Sequence, residues 1–161
     1  PIERVSTIML GYLYIILPLY LMYLIGAELQ PTYNFYLPLG ILWLTWTLDV
    51  MAYILGRVLG GKRLFERISP KKTWSGAIGG GLACVGMGGL MMFFPGGYDW
   101  WLIALIIAIT SQLGDLIESM FKRSVRLKDS GKVLPGHGGM LDRFDGLLTA
   151  LPFLYLYFLM G

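Results

Sequence analysis

Apolar residues run along this chain in five long stretches, about 5–27, 37–59, 76–94, 100–121 and 144–160, with polar segments between them. Each approaches the roughly 20 helical residues that cross a bilayer core of about 30 Å, the last being near the lower limit. Helices are expected because, in hydrocarbon, every backbone N–H and C=O must be satisfied within the spanning structure. Strand-length alternation of polar and apolar positions is absent, which argues against a β-barrel. The pattern predicts an all-α, polytopic integral membrane protein with about five transmembrane helices. Residues 1–161 are read as a single helical membrane domain with two chemically loaded loops, 60–75 and 122–143.

Composition sharpens this picture. The chain is 56% hydrophobic and only 14% charged, with a mean hydropathy of +0.64, whereas soluble domains carry roughly 25% charged residues. A globule of about 150 residues buries only about 70% of the surface its unfolded chain exposes, too little to hide this much apolar surface. A soluble monomer is excluded, and so is a disordered chain. The single cysteine, Cys84, makes no intrachain disulfide. The chain begins at Pro1 without a methionine, as a processed or truncated chain does, and shows no signal-peptide pattern.

Charge placement says more than the net charge of +3. Segments 28–36 and 95–99 contain no Lys or Arg, and all 13 basic residues fall at the other ends of the spans. The positive-inside rule makes the basic face cytoplasmic, with the N-terminus inside and the C-terminus outside. In a bacterium this is a multi-pass protein of the inner or plasma membrane. Tyr98, Trp100 and Trp101, with Tyr33 and Tyr36, stand where an outer aromatic belt is expected. In the third span, Gly76, Gly80, Cys84 and Gly88 repeat a small-xxx-small spacing that lets helix backbones approach closely. Such faces also permit a homodimer. Pro18 and Pro152 are expected to kink their helices.

An ionisable residue inside a span is a functional hypothesis by default. Asp49 lies near the middle of the second span, and Asp115 and Glu118 near the basic end of the fourth. Helical spacing puts Ser111, Asp115, Glu118, Ser119 and Lys122 along one stripe, and Asp142 and Asp145 on another. Structural roles compete: Asp142 or Asp145 as helix caps, Asp49 as partner of Arg57 or of a neighbour. Between the two stripes, residues 122–145 mix cations, glycines and acids. Gly136, Gly138 and Gly139 can aim successive N–H groups at an anion. Lys122, Arg123, Lys128 and Arg143 supply charge-assisted donors to phosphate oxygens. Acids among them call for a cation, and Mg²⁺ takes one or two carboxylates together with substrate phosphates. The segment reads as a metal–polyphosphate site. His137, the only histidine, excludes a histidine-cluster zinc site; it contacts phosphate, donates a proton or closes the turn. Lys71 and Lys72 precede the third span, where anionic headgroups lie.

The run from Ser119 through Lys122-Arg123, Lys128-Asp129, Gly131, Leu134-Pro135-Gly136-His137-Gly138-Gly139, Asp142-Arg143 and Asp145 resembles the signature of the phosphatidate cytidylyltransferases, or CDP-diacylglycerol synthases. Three further blocks are similar to that family: Asp49 to Lys62, Ser69-Pro70-Lys71-Lys72-Thr73-Trp74 running into Gly76, and Gly114-Asp115-Leu116 with Glu118-Ser119. Ser75 stands where relatives often carry Glu. The resemblance implies the C-terminal catalytic part of an enzyme that joins CTP and phosphatidate into CDP-diacylglycerol and pyrophosphate at the cytoplasmic face of the bilayer. It implies Mg²⁺, with room for a second cation, held by Asp115, Asp142 and Asp145. Lys71, Lys72, Lys122, Arg123, Lys128 and Arg143 would hold phosphates, with His137 and the three loop glycines around them, and Asp49 in support.

Rival readings are a CTP-dependent cytidylyltransferase or kinase acting on an isoprenoid lipid, a truncated noncatalytic relative, and a cation-coupled transporter. A transporter would carry its acids near the midplane rather than at one face. No nucleic-acid partner is expected.

Overall fold

The computed structural model describes residues 2–27, 34–66, 68–93, 97–124, 141 and 144–160. Helix α1 (Ile2–Gly11) runs through one π-helical turn (Tyr12–Ile16) into α2 (Leu17–Ala27). Helix α3 (Tyr36–Leu59), strands β1 (Arg63–Phe65) and β2 (Ser69–Thr73), and helices α4 (Trp74–Met91), α5 (Trp100–Ser124) and α6 (Asp145–Met160) follow. Four helical stretches are long and apolar enough to cross a membrane, Arg4–Ala27, Tyr36–Leu59, Trp74–Met91 and Trp100–Ser124; Asp145–Met160 is apolar but shorter. The protein is thus an all-α membrane protein with one small hairpin among its described residues.

Local chemistry explains where the helices start and stop. Asn34 begins α3, its Oδ1 accepting from the Tyr36 N–H at 3.0 Å. Thr73, in extended conformation, caps α4 by accepting from the Gly76 N–H at 3.2 Å, so this helix starts two residues before its apolar run. Helix α5 continues beyond the apolar run to Ser124 because Glu118 and Lys122 pair one turn apart and two cations complement its C-terminal dipole. Pro18 offers no N–H to the Tyr14 carbonyl, and the chain widens just before it: the Leu17 N–H reaches back to the Tyr12 carbonyl in the π-helical turn.

The bundle is apolar inside and out, as lipid requires. Leu37, Ile41, Leu44 and Leu48 turn one face of α3 into the core against Ile103 and Ile107 of α5 and Leu147, Leu151 and Leu154 of α6. Trp43, Trp46 and Val50 on the other face of α3 are exposed. The small residues of α4 set the closest approaches. A Cβ on Gly76 would lie 2.5 Å from the Ala52 carbonyl oxygen, one on Gly80 would lie 2.7 Å from the Ala52 Cβ, and one on Gly88 would lie 2.6 Å from the Ala104 Cβ. Cys84 sits between them, its Sγ 3.6 Å from the carbonyls of Leu44 and Ala104. The small-xxx-small stripe therefore packs α4 between α3 and α5 within the chain.

The two ends of the bundle differ. At one, Asn34 Nδ2 donates to the Tyr98 hydroxyl at 2.7 Å, and Tyr98 meets Trp100 and Phe158 edge-on. At the other stand the hairpin, the C-terminus of α5 and the N-terminus of α6.

Candidate active site

A cavity of about 990 Å³ opens at the charged end, walled by α3, the hairpin, α4, α5 and α6. The hairpin forms its polar rim. Gly60 and Gly61 leave α3 with positive φ values of 58° and 107°, a turn that side-chain-bearing residues rarely adopt, and this folds the chain back. Strands β1 and β2 are antiparallel, Arg63 opposite Thr73 and Phe65 opposite Ser69. The turn is tied down from both sides: the Trp74 N–H donates to the Lys62 carbonyl at 3.0 Å, and the Ser75 hydroxyl donates to the Gly60 carbonyl. Arg123 Nε of α5 donates to the Ile68 carbonyl at 3.4 Å.

This bracing sets the side chain of Lys72, on β2, into the cavity, where it forms an ion pair with Asp115 of α5. Both side chains are about one-third exposed, at 30% and 34%. Burial pulls the Lys72 ammonium down from the ordinary lysine value, opposed by the attraction of Asp145, Asp49 and Glu118. Lys71, its neighbour on the strand, lines the same cavity and is exposed.

The second carboxylate wall comes from α6. Asp145 is its first residue, and its Oδ1 accepts from the Gly146 N–H at 2.7 Å, so it serves as a helix-start acceptor while lining the cavity. It lies beside Glu118. Glu118 Oε2 takes Lys122 Nζ at 3.1 Å in a pair that is mostly buried, the two side chains being 5% and 17% exposed. Glu118 Oε1 and Ser111 Oγ are buried with no hydrogen-bond partner among the described residues. A buried oxygen left without a donor is costly. Both lie on the stripe that carries Asp115, and Glu118 stands beside Asp145 of α6; carboxylate and hydroxyl oxygens are the donors a hard cation takes. The donor set is all oxygen, as Mg²⁺ prefers. Among the described residues no group of three or more His, Cys, Asp or Glu is placed to hold a metal ion by itself; Mg²⁺ commonly takes one or two carboxylates together with phosphates and water.

The structure brings together Asp115, Asp145, Lys71, Lys72, Lys122 and Asp49, all lining one cavity. Arg123 is not among the lining residues; its Nε braces the hairpin turn instead. Arg57 donates to the Tyr53 hydroxyl at 3.1 Å. Lys128, Gly136, His137, Gly138, Gly139, Asp142 and Arg143 lie outside the described residues. Two neighbours of these carboxylates are not among the site residues assigned from the sequence. Glu118 was visible as an ionisable residue but not as the neighbour of Asp145. Tyr14, carried by the π-helical turn, has a buried hydroxyl within electrostatic reach of Glu118 and Asp145. The π-helical turn, a feature frequent at functional sites, is the only signal for it.

The Cytidylyltransferase family pattern matches residues 1–160. The chain is 53% identical over 116 residues to the phosphatidate cytidylyltransferase of Brucella abortus biovar 1 (strain 9-941), covering 70% of this chain and 43% of that protein. It is 40% identical over 151 residues to the phosphatidate cytidylyltransferase of Rickettsia bellii (strain RML369-C), covering 88% and 65%. With that of Staphylococcus haemolyticus (strain JCSC1435) it shares 48% over 113 residues, covering 68% and 44%. The chain thus spans about half the length of the curated relatives it matches.

Proposed function

The chain belongs to the cytidylyltransferase family, and on that premise we propose that it transfers CMP from CTP to phosphatidate, giving CDP-diacylglycerol and pyrophosphate. The observation that carries the reading is the meeting of Lys72, Asp115 and Asp145 in one cavity at the charged end of an apolar bundle. There a water-soluble polyphosphate and a lipid phosphate can reach each other while acyl chains stay in the bilayer.

The chemistry needs little from the protein beyond placement and charge. An oxygen of the phosphatidate monoester, already ionised at neutral pH, attacks the α-phosphorus of CTP. The new P–O bond forms as the bond from that phosphorus to the bridging oxygen breaks, and pyrophosphate leaves with the electron pair. No general base is required. Lys71, Lys72 and Lys122 hold phosphate oxygens and draw the two anions into line. Their positive charge favours the transition state, where charge moves onto the leaving group. Gly136, His137, Gly138, Gly139, Lys128 and Arg143 are assigned to the same anions on their sequence pattern. Asp115 and Asp145, with Asp142, are the assigned Mg²⁺ ligands, Glu118 and Ser111 standing close by. When bound, Mg²⁺ supplies charge neutralisation on the triphosphate.

The basic end is assigned to the cytoplasm, where CTP is available, and the apolar helices to a multi-pass insertion in the membrane. A homodimer would have to pair through a face other than Gly76, Gly80 and Gly88, which the chain buries within itself.

The test is nucleotide transfer by the purified protein in nanodiscs with labelled CTP, phosphatidate and Mg²⁺. EDTA and an isoprenoid ether-lipid acceptor serve as controls. Metal-dependent CDP-diacylglycerol formation is the expected result. Product with the ether lipid alone would move the assignment to that acceptor, and no product with either would overturn it.

A further inference from the structure

Two residues with opposite assignments are bonded to each other. Lys72 carries charge suited to an anion and Asp115 charge suited to a cation, yet each is neutralised by the other. Neither can serve its ligand while the pair is closed. The backbone on either side is braced: α4 begins two residues after Lys72, and hydrogen bonds from Trp74 and Arg123 hold the hairpin. Exchange therefore falls to the lysine's flexible four-carbon stem. The ammonium is also drawn by Asp145, Asp49 and Glu118, with Lys122 opposing. A divalent cation entering this cluster would meet the same carboxylates.

We propose that Lys72 is a resident counter-ion for the carboxylate cluster, holding the place of a divalent cation on Asp115. Arrival of the cation releases its ammonium to an anion in the same cavity. Cation and polyphosphate then bind with positive coupling, and the coupling is reciprocal. The polyphosphate half rests on the function proposed above; the cation half does not.

The experiment measures Mn²⁺ binding from the free-ion EPR signal, with the purified protein in nanodiscs of zwitterionic lipid and no nucleotide. Lys72→Met is expected to bind Mn²⁺ about tenfold more tightly than the wild type. Lys72→Arg, which keeps the charge, and Lys62→Met, which removes a charge elsewhere on the hairpin, stay close to the wild type. Loss of a purely structural ion pair would weaken binding or leave it alone; unchanged or weaker binding in Lys72→Met therefore overturns the proposal, as does a wild type that binds no Mn²⁺. In a second arm with EDTA, Asp115→Asn is expected to bind CTP about fivefold more tightly than the wild type. Equal CTP affinity would overturn the release of Lys72. Mn²⁺ results as expected, with no CTP bound by any variant, would support the counter-ion role and overturn the nucleotide reading instead.

Discussion

The side chain of Thr149 occupies the space in which Gly114 would carry a Cβ. The same threonine donates its hydroxyl to the Asp145 carbonyl at 2.9 Å, so α5 and α6 touch beside the two carboxylates that line the cavity. Gly114→Ala forces the helices apart at this point. Overpacking of this kind costs about 1–3 kcal/mol. The expected result is a lowered midpoint of thermal unfolding and a loss of turnover out of proportion to it. Gly114→Ala/Thr149→Ala should recover most of the stability. An unaltered single variant would show that the helices have slack here.

Asp115→Asn and Asp145→Asn remove charge without changing size. Each is expected to lower turnover by about 10²-fold or more, the scale of a lost electrostatic contact to a reacting centre. Circular dichroism should report unchanged helix content. Turnover near wild type in either variant would remove that residue from the assigned cation ligands.

Glu118 and Lys122 form a mostly buried pair, so removing one charge strands the other. Glu118→Gln and Lys122→Met should each destabilise the protein, and the double variant should cost less than the sum of the two. The expected coupling is about 1–3 kcal/mol in a double-mutant cycle of thermal or denaturant unfolding. Strict additivity would mean that the pair contributes nothing.

Two glycines of α4 should respond oppositely to the same change. Gly80→Ala drives a methyl against the Ala52 backbone and side chain, where its Cβ would meet atoms at 2.7 and 2.9 Å. Gly86 has nothing within 4 Å. Gly80→Ala is expected to destabilise by about 1–3 kcal/mol, and Gly86→Ala to stabilise by roughly 0.5–1 kcal/mol through backbone entropy. Equal unfolding midpoints for the two variants would refute the packing of α4 against α3.

The helices could be read from the chain because lipid leaves an unbroken apolar run few alternatives. Tyr36–Leu59 and Asp145–Met160 fall within a residue of the stretches expected at 37–59 and 144–160. The error at the start of α4 came from Thr73, whose capping hydroxyl acts outside the apolar run. The hairpin was illegible for another reason. Its short strands are held by bonds to Gly60, Lys62 and Arg123 rather than by any alternation of their own. Periodicity sorted residues onto helix faces but did not say which faces meet. It put Ser111, Asp115, Glu118 and Lys122 on one stripe without revealing that Lys72, 43 residues before Asp115, closes on that stripe.

Strand β2 enters α4 with no loop between them, and α4 has only 18 residues, about 27 Å at 1.5 Å per residue. That is shorter than a typical hydrocarbon core of about 30 Å. A helix this short must tilt little, draw the leaflets together or sink its flanking residues. Lys71 and Lys72 are joined directly to its end, so the depth at which α4 settles in lipid also sets theirs. Hydrophobic mismatch thus becomes a setting of the site: longer acyl chains in the host bilayer draw the lysines and the hairpin toward the apolar layer, and shorter ones lift them into the headgroups.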